Sequence, residues 1–182
     1  DKELFSEYGF HNDTGCDTEL LLQLDVILGS ELLMNTIRNT YCVVKLDVDS
    51  EFATAYRDEN GRMPLWLGRD REGNYIVASE DYSIIEIGGM PVREIIPGEL
   101  ARIHRDKIES KEVRQPDPQY CFMQFNYMAK RKSYLLEILR SQGTRLSDLR
   151  EALGRRLAIE FPPEEWVEFA TAEVQIYLVD TD

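Results

Sequence analysis

Cysteine is scarce in this 182-residue chain, and Cys16, Cys42 and Cys121 lie far apart, with no CxxC pair and no zinc-ligand spacing. So sparse and odd a set speaks against a disulfide scaffold and suits a reducing, cytoplasmic setting. Basic residues are outnumbered, 21 Lys+Arg against 34 Asp+Glu, for a net charge of −13. That deficit argues against nucleic acid, where affinity comes largely from cations neutralising phosphates, and equally against an anionic membrane surface. No apolar stretch approaches the ~20 residues that span a bilayer, and the start does not read as a signal peptide. Internal repeats and low-complexity segments are absent as well. The chain begins at Asp1 rather than Met, which raises the expectation of a piece of something longer. What is present is apolar material, 43% hydrophobic and 10% aromatic, enough to bury a core in one domain or a domain plus part of another.

Along the chain, the polar turn His11-Asn12-Asp13-Thr14-Gly15 leads into a helix. Asp17-Thr18-Glu19 supplies its cap and acidic first turn, Leu20 to Leu28 its apolar body, and Gly29-Ser30 its stop. A second short helix is expected over 31–38, then a buried strand over 41–48. A dense β meander follows, with strands at 52–56, 64–67 and 75–78 separated by polar turns at Asp58-Glu59-Asn60-Gly61 and Asp70-Arg71-Glu72-Gly73-Asn74. After a short helix over 81–87, strands are expected at 92–96, 99–104 and 108–113. Gln115-Pro116-Asp117-Pro118 is linker-like, and Tyr120 to Met128 reads as an aromatic strand. Helices over 134–140 and 145–160 come next, the second with Leu146, Leu149, Leu153 and Leu157 at helical spacing. Phe161-Pro162-Pro163 ends it, and a last strand is expected at 174–179. Helix, many strands, then helices indicates an α+β chain with sheets between helical layers.

Taken by residue type, the chemical signals are sparse. His11 and Cys16 share one polar loop and could pair as imidazole and thiolate, yet five loop residues fix no geometry and a cysteine before an apolar helix is commonly packed. On pattern alone Asp17 reads as a helix cap ahead of a site residue. Arg57-Asp58 and Asp70-Arg71 read as solvated turn charges, and Pro163-Glu164-Glu165 as a solvated helix start.

The order of short motifs is more specific. His11-x-x-Thr14-x-x-Asp17-Thr18-Glu19-Leu20-Leu21 resembles the substrate-side segment of type 2 glutamine amidotransferases. Arg57-Asp58-x-x-Gly61-x-x-Pro64-Leu65-x-x-Gly68 is similar to their Arg-Asp-Pro-x-Gly hairpin. Val77-Ala78-Ser79-Glu80 and Pro97-Gly98-Glu99 match two further landmarks in the same order. Asparagine synthetases share these, and glucosamine-phosphate synthases do so more loosely. The later stretch Cys121-Phe122-Met123-Gln124-Phe125-Asn126-Tyr127-Met128-Ala129-Lys130 resembles the Cys-x-x-Glu-Tyr-x-Tyr-Phe-Ala-Arg text of amidophosphoribosyltransferases, with Gln124 for Glu and Lys130 for Arg. Leu149-Arg150-x-x-Leu153-Gly154-Arg155-Arg156-Leu157-Ala158 resembles the helix that follows in that family.

The resemblance implies a four-layer α/β/β/α sandwich of antiparallel sheets, the N-terminal-nucleophile (Ntn) hydrolase glutaminase type, here expected without its N-terminal portion. Residues 1–115 are expected to be the carboxyl-terminal part of the glutaminase domain. Residues 116–182 would be its end and the start of a connection to a phosphoribosyltransferase domain. In such enzymes an amino-terminal cysteine attacks the glutamine amide, and the released ammonia goes to phosphoribosyl pyrophosphate in the first step of purine synthesis. That nucleophile, the arginine holding the substrate carboxylate and the Asn-Gly oxyanion pair match no residue from Asp1 onward, so the 182-residue chain alone is not expected to hydrolyse glutamine. Of the glutamine pocket only Asp17 carries over, matching the aspartate that binds the α-ammonium. Cys121 matches a position that holds an iron–sulfur cluster in some relatives; the partner cysteines would fall beyond residue 182, so no cluster is expected here. Magnesium belongs to the phosphoribosyltransferase half. Exposed sheet edges lead to the expectation of a homo-oligomer. Two other readings stay open: a degenerate, non-catalytic interaction or regulatory domain of the same fold, and an unrelated thiol enzyme using Cys16 and His11.

Overall fold

The computed structural model describes residues 14–160, in two compact units that divide after Leu146. The first unit opens with helix α1 (Asp17–Leu28), which Gly29 ends at φ 76°, its N–H returning to the Asp25 carbonyl at 2.9 Å. Helix α2 (Ser30–Thr36) follows at once. Then come strands β1 (Cys42–Leu46), β2 (Ala53–Arg57), β3 (Trp66–Arg69) and β4 (Tyr75–Ala78), and helix α3 (Asp81–Glu86). Strands β5 (Met90–Glu94), β6 (Glu99–Ile103) and β7 (Ile108–Glu112) complete two antiparallel sheets, one in the order β1-β2-β6-β7 and the other β4-β3-β5. Helix α4 spans Glu137–Ser141.

The layering follows from the alternation of side chains along the strands. Tyr56 and Leu100 point from the first sheet to α1 and α2, where they join Leu24, Leu33, Met34 and Tyr41 in one buried cluster. Their neighbours Ala55 and Ala101 point the other way and pair across β2 and β6. Both are fully buried and small, which lets the second sheet approach and bury Leu65, Leu67 and Ile95 against them. On the far side of that second sheet, Trp66 and Gly68 face α3 and the segment around Leu135. A Cβ built on Gly68 would lie 2.6 Å from the Ile84 Cγ2 and 2.8 Å from the Met90 carbonyl, so the close approach of α3 requires glycine. The Trp66 indole donates to the Leu135 carbonyl at 2.9 Å. Helix, sheet, sheet, helix is the four-layer arrangement expected from the sequence.

Three expectations of the sequence fail here. The strand expected to be buried over 41–48 is instead the edge strand β1, with Val44 and Leu46 exposed. Tyr120 to Met128 is not a strand: Gln124–Met128 forms a π-helical turn, closed by the Ala129 N–H on the Gln124 carbonyl at 3.1 Å. Its apolar run lacks the two-residue alternation of a strand, and Phe122, Tyr127 and Met128 stay exposed. Arg57 and Asp58 are not solvated turn charges either, since both are fully buried. The linker-like residues 115–118 lie along the 57–61 turn, the Asp117 and Gln119 N–H groups donating to the Glu59 and Asn60 carbonyls at 2.8 and 2.9 Å. The second unit is described through Glu160 as helix α5 (Leu146–Glu160), which starts on the last residue of the first unit. It carries i,i+4 ion pairs Glu151–Arg155 and Arg156–Glu160. His11, the 161–163 stop, the acidic 163–165 run and the 174–179 strand lie outside the described residues.

Candidate functional site

The first turn of α1 is capped in an unexpected way. Cys16, not Asp17, is the N-cap residue, and its side chain makes no capping bond. Instead Glu19 reaches back, one carboxylate oxygen accepting the Thr14 N–H at 3.0 Å and the Thr14 hydroxyl at 2.5 Å. The Thr14 hydroxyl oxygen in turn accepts the Cys16 N–H at 3.2 Å. These bonds order the helix start without Asp17, whose exposed carboxylate accepts no hydrogen bond and forms no ion pair among the described residues.

Asp17 and Thr18 stand at the lip of a cleft of about 570 Å³ between α1 and the segment that leads from α2 into β1. Leu20, Leu21 and Leu24 form one apolar wall; Ile37 and Met63 line it from the other side. The polar groups are Asp17, Thr18, Thr36, Arg38, Asn39 and Thr40, with Tyr41 and Cys42 also lining the cleft. Burial pushes the Cys42 thiol up to about 11, only partly offset by Arg57, so it is a neutral thiol at pH 7. Burial also raises the Tyr41 phenol, with Glu59 adding to the effect, so Tyr41 stays protonated. The exposed Cys16 thiol moves the other way, lowered chiefly by the Thr18 side chain.

The cleft's Tyr41 and Cys42 are fixed from below by the buried Arg57-Asp58 pair. The Asp58 carboxylate accepts the Tyr41 N–H at 3.0 Å through one oxygen and the Asn60 and Gly61 N–H groups at 2.9 and 3.0 Å through the other. Arg57 donates to Glu94 and to the Gly61 carbonyl, both at 2.7 Å, and to the Ile95 carbonyl. Gly61 sits at φ 57° against Pro97, where a Cβ would come within 2.4 Å of the proline ring. The Arg57-Asp58-x-x-Gly61 spacing is thus a buried clamp across β2, the following turn and the end of β5. Sequence reasoning missed that role because adjacent charges before a turn ordinarily sit in water.

A second cleft, of about 460 Å³, lies between α2 and the first sheet and is lined in part by Lys45, Asp47, Phe52 and Arg102. Lys45 is already neutralised there by the buried Asp25. Cys121 is free and half-buried, and among the described residues no three His, Cys, Asp or Glu side chains gather as a metal-ligand set. No described helix is long and apolar enough to cross a membrane.

No protein-family model matches the chain. Amidophosphoribosyltransferase of Mycobacterium leprae is 36% identical over 132 residues, covering 72% of this chain and 22% of the relative. That of Archaeoglobus fulgidus is 29% identical over 161 residues, covering 83% of this chain and 33% of the relative. Among solved structures, the glutamine phosphoribosylpyrophosphate amidotransferase from Bacillus subtilis, complexed with ADP and GMP, superposes with a TM-score of 0.75 at 24% identity. It is covered by 87% of this chain, which spans 35% of it. A structure described as the allosteric regulatory enzyme of purine biosynthesis gives a TM-score of 0.77 at 24% identity, over 90% of this chain and 35% of that one. The structural likeness is one of fold, and the chain spans only 22–35% of the relatives cited. Fold and sequence agree in likening this chain to the amidophosphoribosyltransferases.

Proposed function

We propose that the Asp17 cleft is the amino-acid side of a glutamine site, in an amidotransferase that hydrolyses glutamine and delivers the ammonia to phosphoribosyl pyrophosphate at the start of purine synthesis. One observation carries the reading. The Asp17 carboxylate, at the position that resembles the family's ammonium-binding aspartate, is spared from capping and faces a cleft whose walls are largely apolar. A carboxylate without a partner among the described residues is open to a charge-assisted contact with an α-ammonium there. The attacking thiolate in this reading comes from outside residues 14–160, as the resemblance to a family with an amino-terminal cysteine nucleophile implies. The acceptor chemistry and its magnesium belong to a phosphoribosyltransferase domain acting with this one. The β1 edge, with Val44 and Leu46 exposed, suits association into a homo-oligomer in the cytoplasm.

The test is a calorimetric or NMR titration of the 182-residue chain with L-glutamine and with glutaramic acid, which lacks the α-ammonium. Glutamine should bind saturably and about tenfold more tightly, the worth of one charge-assisted hydrogen bond. Asp17→Asn should erase the difference. A chain that does not bind glutamine, or an Asp17→Asn variant that still discriminates, would overturn the reading in favour of a non-catalytic interaction domain of the same fold.

A further inference from the structure

The cleft of about 460 Å³ between α2 and the first sheet shares no lining residue with the Asp17 cleft. Strand register builds its floor. Lys45, Thr54 and Arg102 are directly opposed across β1, β2 and β6, so their side chains stand in one row on the helix-covered face of the sheet. Leu28, Leu32, Phe52 and Leu100 supply the apolar surface, and Leu32 is 53% exposed there.

Four charged side chains line the cleft, and three are engaged: Lys45 pairs with the buried Asp25, Glu31 pairs with Lys111, and Asp47 accepts the Asp49 N–H at 3.2 Å. Arg102 is the exception. Its guanidinium makes no hydrogen bond or ion pair among the described residues and lies 5.7 Å from the centroid of the Phe52 ring. Glu109, the acid opposite it on β7, pairs with Lys107 at 2.6 Å instead. Beside Arg102, Thr54 is only 7% exposed, yet its hydroxyl has no hydrogen-bond partner among the described residues. Buried hydroxyls are ordinarily hydrogen-bonded, so this one, next to a guanidinium with no anion, adds a donor for a bound oxyanion.

We propose that this cleft is a second binding site, for a small organic acid whose oxyanion takes Arg102 and the Thr54 hydroxyl while its apolar body lies on Leu28, Leu32 and Leu100. The guanidinium fork fits a carboxylate through two parallel bonds. A ring in the body extends the contact that Arg102 makes with Phe52. The volume falls in the range of small-molecule sites, and apolar surface beside a few convergent donors is the usual make-up of one. The site goes beyond the glutamine reading and does not depend on it.

The test follows backbone amide shifts of the 15N-labelled 182-residue chain with three probes. These are 3-phenylpropionate, 3-phenylpropanamide (the same body, uncharged) and acetate (the same head without the body). The acid should shift Gly29, Thr54 and Arg102 saturably and bind about tenfold more tightly than the amide. Arg102→Gln should erase that preference while leaving the amide within about twofold, and the isosteric Thr54→Val should weaken the acid about threefold. Equal affinity for acid and amide, equal weakening of both by Arg102→Gln, or no saturable shift at these residues would overturn the proposal. Acetate binding as tightly as 3-phenylpropionate would reduce the site to an ion on an exposed arginine and overturn it as well.

Discussion

Replacing Arg57 by methionine is the sharpest perturbation of the clamp beneath the cleft. Arg57 is fully buried and pairs at 2.7 Å with Glu94, whose side chain is only 9% exposed. Removing the guanidinium leaves that carboxylate buried without its counter-charge, a loss of about 3–5 kcal/mol for a broken buried pair. The Gly61 and Ile95 carbonyls also lose their donor, each worth about 1 kcal/mol. Some of these costs overlap, so the expected total is about 4–6 kcal/mol, a large share of the ~5–15 kcal/mol of an ordinary domain. Each kcal/mol should lower Tm by roughly 2–4 °C in a chain of this size. Glu94→Gln in the Arg57→Met background removes the stranded charge while keeping an acceptor for the Glu137 N–H, which Glu94 now accepts at 2.8 Å. That double variant should recover about 1–2 kcal/mol. Urea unfolding followed by the emission of the buried Trp66, in a Trp166→Phe background, reads these differences. A loss under about 1 kcal/mol for Arg57→Met would refute the clamp, because that is the scale of a solvated surface charge.

Three further outcomes are expected. Gly68→Ala forces a methyl against Ile84 and the Met90 carbonyl and should cost about 1–3 kcal/mol with an unchanged urea m-value; a neutral effect would mean that α3 does not pack as described. Burial alone would raise the Glu99 carboxyl, but hydrogen bonds from Arg93, Ser110 and the Ile96 N–H hold it below its usual value. Its folded pKa being depressed, Glu99 stabilises the fold above the unfolded carboxylate pKa of about 4.3, and that stability is lost as pH falls through the folded pKa. Glu99→Gln should therefore flatten the acid limb of a stability-against-pH curve, and an unchanged limb would contradict the Arg93 pairing. Iodoacetamide at pH 8 should modify Cys16, exposed and lowered, at least roughly tenfold faster than Cys42, half-buried and raised; equal rates by peptide mass spectrometry would reverse those assignments.

Much of the first unit is visible in the chain itself. Strands β2 and β4 appear as short β-branched and aromatic runs between Asn/Asp/Gly turns, β6 as a short run after Pro97-Gly98, and α1 as an apolar run closed by Gly29. These are local signals, and local physics decides them. Residues 120–128 show the limit: an aromatic run without alternation fits strand or helix, and its hydrogen bonding chose a π turn. Arg57 and Asp58 show another, because burial depends on Glu94, Ile95 and Tyr41, which the sequence places up to 38 residues away. The candidate site was legible at Asp17 through the ordered motifs, though its freedom from capping was not, since that depends on Glu19 reaching back to Thr14. Arg38, Thr40 and Met63 carry no motif; they reach the cleft through the α2–β1 connection and the hairpin after β2.

The central claim is that the Asp17 cleft is where the amino acid binds. Adding L-glutamine to the 15N-labelled chain and following backbone amide shifts tests it directly. The account predicts concentration-dependent shifts confined to Thr18, Asn39, Thr40, Tyr41 and their neighbours, absent in Asp17→Asn. Shifts centred instead on the Lys45–Arg102 cleft, or none at saturating glutamine, would contradict it.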